Sequence, residues 1–172
     1  FCNGMASGFA IPVAQRFGAK DESGLKLAIA NSVYLGIGLS VILTLLVTAL
    51  CRPMLELLNT PSDIIEGTYS YLIVILWGLP ITFFYNLFSG FMRSLGDSKT
   101  PVIFLVMASV INIVLDYVFI VGLGTGVEGA AYATVISQLL ATVLSAIYMW
   151  KKYDVVHMTR QERKKEFQCM MQ

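Results

Sequence analysis

Long apolar runs separated by short polar connectors dominate the pattern of this chain. A charge-free run of about 18 or more residues can cross a hydrocarbon core of roughly 30 Å as a helix rising about 1.5 Å per residue. Four runs meet that length, at 27–51, 67–92, 101–121 and 129–150, and Asp116 is the one charged residue inside any of them. Residues 1–15 form a further apolar stretch, but as a helix it would reach only about 22 Å. It begins with Phe and not Met, so a missing preceding span is expected.

The connectors "RFGAKDESGLK", "RPMLELLNTPSDIIE", "RSLGDSKT" and "GLGTGVE" hold the Gly, Pro, Asn and Asp of turns and leave no room for another domain. The expected fold is an all-α integral membrane protein, a polytopic helix bundle over residues 1–150, followed by a linker over 151–172. In that linker "TRQE" at 159–162 has the capping-box pattern, and Phe167, Met170 and Met171 would give a following helix one apolar face. An interfacial helix or a disordered basic tail would both fit.

Within the spans, small residues recur every fourth position. Ser32, Gly36, Ser40, Thr44 and Thr48 form one row, and Gly129, Ala133, Ser137, Ala141 and Ser145 another. Such rows let helix backbones approach closely in lipid, so packing is the expected role. Pro80 interrupts the 67–92 run and should kink it by removing a backbone donor.

Composition agrees with this picture: 56% of residues are hydrophobic and 13% charged, against roughly a quarter charged in soluble domains. Charge placement adds orientation. One set of alternate connectors, with the tail, holds eleven Lys and Arg residues, and the other holds only Arg52. Basic residues favour the cytoplasmic side, which puts the C-terminal tail there. Tyr69 and Tyr71 open one span and Tyr148, Trp150 and Tyr153 close the last, as interfacial aromatic belts do.

The candidate chemistry is at Asp116. Asn112 lies one helical turn before it on the same face. A carboxylate in hydrocarbon costs on the order of 2.5–3.5 kcal/mol, so such a residue is expected to face a bundle interior or an aqueous cavity. Counted from the outer end of its span, Asp116 is roughly 7.5 Å deep, and the same count down the next span reaches Thr134. Amide, carboxylate and hydroxyl together offer hard oxygen ligands for sodium, or hydrogen bonds for a proton-carrying acid. Burial favours the neutral carboxyl and a bound cation the ionised one, which is the chemistry of a coupling site. An interhelical hydrogen bond that only holds two helices is the alternative.

Other features carry less. Cys2, Cys51 and Cys169 form no CxxC pair, and His157 has no second ligand nearby. Gly124, Gly126 and Gly129 match GxGxxG, but without a preceding strand they read as a turn. No nucleotide-binding loop, catalytic triad or second buried carboxylate appears, so neither an enzyme, an organic cofactor nor a nucleic-acid partner is expected.

The stretches "IPVAQRFGAKD" at 11–21, "YNLFSGFMRSLGDSKTP" at 85–101, "NIVLDYVFI" at 112–120 and "VEGAAYATVISQ" at 127–138 together resemble the multidrug and toxic compound extrusion (MATE) transporters. The likeness runs over spans two to six of their first six-helix lobe. It implies a bacterial, multi-pass plasma-membrane antiporter that exports lipophilic or cationic compounds by alternating access, driven by sodium or protons. Asn112, Asp116 and Thr134 match members of the family's cation pocket. Arg93, Gly96 and Asp97 match a cytoplasmic loop motif expected to shape the turn and not to touch substrate. The second lobe would lie outside this chain. A lipid-linked saccharide flippase of the same superfamily, or a membrane module that only packs, are the competing expectations.

Overall fold

The computed structural model describes residues 2–58 and 65–153. His157, Cys169 and the tail pattern at 159–171 lie outside the described residues. Six α-helices run along the described chain: α1 Cys2–Gly18, α2 Glu22–Leu57, α3 Ile65–Trp77, α4 Leu79–Ser94, α5 Lys99–Asp116 and α6 Gly126–Lys152, with a π-helix over Tyr117–Gly122 continuing α5. Four units are long and apolar enough to cross a membrane: α2, α3 with α4, α5 with the π-helix, and α6.

The helices are longer than the apolar runs. α2 has 36 residues and takes in Glu22, Lys26, Arg52, Pro53 and Glu56, which the connectors had seemed to claim. At its start the Asp21 carboxylate caps the helix by accepting from the Gly24 N–H at 3.0 Å. At its end Arg52 stands 3.6 Å from both Glu56 and Glu66 and lies over the Tyr69 ring, so the charges that looked like a helix stop are neutralised in place.

α1 and α4 stop in the same way. The Asp21 N–H bonds Arg16 O across a Lys20 with φ 55°, and the Asp97 N–H bonds Met92 O across a Gly96 with φ 89°. This left-handed closure satisfies terminal carbonyls that would otherwise be orphaned. Each aspartate then caps the helix that follows.

The 67–92 run divides at Gly78. Pro80 occupies the first turn of α4, where its missing N–H costs nothing. A Cβ on Gly78 would lie 2.8 Å from Val135 Cγ2, so the break is also where α6 presses on the span.

α4 is the centre of the bundle, packing on α1, α2, α5 and α6. Ser32, Gly36, Ser40 and Thr44 of one small-residue row are buried, Thr48 is half-buried, and the whole α6 row is buried. A Cβ at Gly36 would come 2.8 Å from the Phe83 ring, which shows the reason for the row: large side chains of α4 lie against bare backbone of α2. Phe83, Leu87, Phe91 and Met92 of α4 and Leu95 just after it form the apolar core with Val13, Leu25, Ile29 and Met149. Leu35, Ile42, Leu45 and Leu46 of α2, by contrast, point outward, as a helix facing acyl chains should.

Candidate functional site

Asp116 is the last α-helical residue of α5 and the first residue bounding the π-helix. A π-helical segment, with its i→i+5 bonds, is rare and concentrates at functional sites. Here it is held from α6: the Thr125 N–H and hydroxyl both donate to Phe119 O, at 3.1 and 2.7 Å. Gly129 makes room for it, since a Cβ there would stand 2.9 Å from Phe119 Cβ.

The structure brings Asn112 and Thr134 together, with Asn112 Nδ2 donating to Thr134 Oγ1 over a long 3.5 Å. Thr134 Oγ1 itself donates to Ala130 O at 2.9 Å. Asp116 is half-buried one turn further on, and its Oδ1 is shielded without a hydrogen-bond partner. Residue counting set Thr134 level with Asp116; the structure sets it against Asn112. The count assumed an α-helical rise to the end of the span, whereas Tyr117–Gly122 form a π-helix with more residues in each turn.

A second polar region lies between α4, α5 and α6. It is a cavity of about 330 Å3 whose wall includes Thr82, Tyr85, Asn86, Ser89, Arg93 and Gln138. Tyr85 donates its hydroxyl to Pro101 O at 2.9 Å, and Asn86 donates to Thr82 O at 2.8 Å. Ser89 Oγ and Gln138 Oε1 are shielded and have no partner. Sequence reasoning missed this cavity. Its signal was a polar stripe on α4, at Thr82, Tyr85, Asn86, Ser89 and Arg93, which points nowhere until α5 and Gln138 of α6 are packed against it.

The MatE family model matches residues 1–118. The chain belongs to the MATE family. It is 33% identical over 156 residues to the probable multidrug resistance protein YoeA of Bacillus subtilis, covering 88% of this chain and 34% of that protein. Against YpnP of the same organism, also described as a probable multidrug resistance protein, it is 37% identical over 139 residues, 81% of this chain and 31% of the relative. Among solved structures, an inward-facing MATE transporter matches with TM-score 0.84 and 28% identity, over 97% of this chain and 40% of that one. An outward-facing one matches with TM-score 0.82 and 29% identity, over 96% and 39%. The chain thus spans about a third of the length of these curated relatives.

In this MATE lobe the three residues of the loop motif separate. Gly96 supplies the left-handed turn. Asp97 builds a clasp: it accepts from Lys152 Nζ at 2.7 Å, Tyr148 OH at 2.8 Å, Thr100 Oγ1 at 2.8 Å and Thr100 N–H at 3.1 Å. Lys152 and Tyr148 also bond each other, and the ammonium lies 4.9 Å from the Tyr148 ring centre. The Lys152 ammonium holds the Asp97 carboxyl well below the usual carboxylate range; burial works against it, and the Tyr148 and Thr100 bonds add to it. The clasp ties the α4–α5 turn to the end of α6. Arg93 takes no part. Its side chain makes no ion pair among the described residues and lines the cavity between α4, α5 and α6, as well as a shallower one of about 280 Å3 against α1.

Proposed function

We propose that this chain is part of the first lobe of a two-lobe, cation-coupled antiporter that exports lipophilic or cationic compounds across the bacterial plasma membrane, with its C-terminal end in the cytoplasm. Support for the cargo comes from the relatives, described as multidrug resistance proteins in Bacillus subtilis and as a multidrug export protein, MepA, in Staphylococcus aureus. Support for alternating access comes from the lobe's equal likeness to inward-facing and outward-facing transporters, as expected of a unit that rocks without deforming.

The observation that carries the coupling role is the shielded, unpartnered Oδ1 of Asp116 beside the Asn112–Thr134 pair. A buried acceptor without a partner is costly, and a proton or a sodium ion would supply the partner it lacks. Asn112 and Thr134 then orient the visitor. Because the acid sits where α5 changes to a π-helix, ion uptake is placed to alter that segment, and a preference of the ion for one conformation of the lobe is all that coupling requires.

The test is Asp116→Asn in the intact transporter, reconstituted in liposomes with an imposed sodium or pH gradient. Gradient-driven export should be lost while the protein remains folded and inserted. Export at the parent rate, with the parent's dependence on the gradient, would refute the coupling role.

A further inference from the structure

We propose that the cavity between α4, α5 and α6 binds small amphiphiles that carry an acidic group, with the Arg93 guanidinium taking the carboxylate. Three observations converge on it. Arg93 is a permanent cation with no carboxylate partner among the described residues, at the end of α4 on the cavity wall. No acidic side chain lines the cavity, so its field is positive. Deeper in, Ser89 is only 3% exposed and its hydroxyl makes no hydrogen bond of good geometry; the Tyr85 hydroxyl one turn away, which donates to Pro101 O, is the polar group beside it.

Gln138 Oε1, also shielded and unpartnered, adds a free acceptor on the α6 side. The site therefore offers donors at one end, from Arg93 and Ser89, and an acceptor at the other. A ligand with a carboxylate or similar oxyanion at one end and an N–H or O–H at the other would satisfy all three, and charge-assisted pairing to guanidinium is among the strongest polar contacts available. A volume of about 330 Å3 admits a compound of a few fused rings. The shallower cavity against α1 shares Arg93, but its Ser94 hydroxyl is already bonded to Ala10 O at 3.1 Å. The unmet hydrogen bonding is thus on the α4–α5–α6 side.

This inference rests on the export reading only in treating the occupant as cargo; binding itself does not involve Asp116. The probes are rhodamine 110, which carries a free carboxylate, and rhodamine 123, its methyl ester. Their binding to the complete purified transporter is read by fluorescence anisotropy. Rhodamine 110 should bind about tenfold or more tightly than the ester, and Arg93→Gln should bring the ratio close to one, with Arg93→Lys in between. Gln138→Leu should weaken both dyes alike and leave the ratio unchanged. Equal binding of the two dyes by the parent protein would overturn the proposal, as would a preference that survives Arg93→Gln in a folded protein. A preference kept in phosphatidylcholine nanodiscs but erased in phosphatidylglycerol nanodiscs would also overturn it, since a lipid headgroup would then be the occupant of Arg93. In Asp116→Asn the dye ratio should persist while gradient-driven export fails, which separates failure of this inference from failure of the coupling role.

Discussion

Removing the Asp97 carboxylate tests whether the clasp holds this lobe together. Asp97→Ala deletes an acceptor shared by Lys152, Tyr148 and Thr100. The Thr100 bonds cap α5, and losing a cap costs about 1 kcal/mol. The Tyr148 hydroxyl bond to a charged acceptor is worth about 1.5–3 kcal/mol, less whatever Tyr148 recovers from Thr100. Lys152 is half exposed, with water as a ready substitute, and is left out of the sum. The expected loss is about 2–3 kcal/mol, a fall in Tm of roughly 3–5 °C for a transporter about three times the length of this chain, as its relatives are. Asp97→Asn keeps the acceptor but not the charge and should lose about half as much.

The assay is thermal unfolding of the detergent-solubilised transporter, followed by tryptophan fluorescence over a range of pH. Because the folded carboxyl titrates far below its unfolded value, the clasp's contribution is complete above about pH 4 and declines as pH falls from there. The parent's Tm should therefore drop on acidification below about pH 4 more steeply than that of Asp97→Asn. A Tm for Asp97→Ala within about 2 °C of the parent, or identical acid slopes in parent and Asn variant, would show that the four bonds add nothing over solvation.

Two further outcomes follow from backbone geometry. Gly129→Ala puts a Cβ 2.9 Å from Phe119 Cβ, so it should push the π-helix off α6; faster hydrogen exchange over 117–125 and impaired coupling are expected, and unchanged exchange would remove the π-helix from the mechanism. Lys20 and Gly96 close α1 and α4 with the same left-handed turn, so Lys20→Gly should stabilise and Gly96→Ala destabilise by about 1 kcal/mol each in thermal unfolding, with shifts of the same sign refuting the reading.

Hydropathy made the bundle readable because an uninterrupted apolar run has few other uses. Its ends were less readable. Arg52 looked like a helix stop, and only the approach of Glu66 from α3 shows how a helix can continue through it. Small residues were legible as packing devices, and the burial of the Ser32 and Gly129 rows agrees: Gly36 lies against Phe83 of α4 and Gly129 against Phe119 of the π-helix. The π-helix left no sequence signal, since nothing in "YVFIVG" prefers an i→i+5 ladder; the contacts it makes with Thr125, which caps the next helix, and with Gly129 show only once the helices are packed. Residue counting paired Thr134 with Asp116, and the contact the structure shows is with Asn112. Arg93 and Asp97 lie four residues apart in one motif, and sequence alone could not show that one grips the turn while the other faces a cavity.

These features divide the lobe along its length. The apolar core gathers where α1 and α4 end, α2 begins and α6 ends, among Val13, Leu25, Phe91, Leu95 and Met149, and the Asp97 clasp closes that same end. Shielded oxygens without a partner occur both beside this core, at Asn31, Ser89 and Ser145, and further along the lobe, at Thr44, Thr48, Asp116 and Gln138. Dense apolar packing resists deformation, while unpaired polar atoms can gain only by admitting a ligand, an ion or water. One end of the lobe is thus stiffened by its core and clasp, and the shielded oxygens along its length, Ser89 beside the Arg93 cavity and Asp116 at the π-helix among them, remain open to whatever enters.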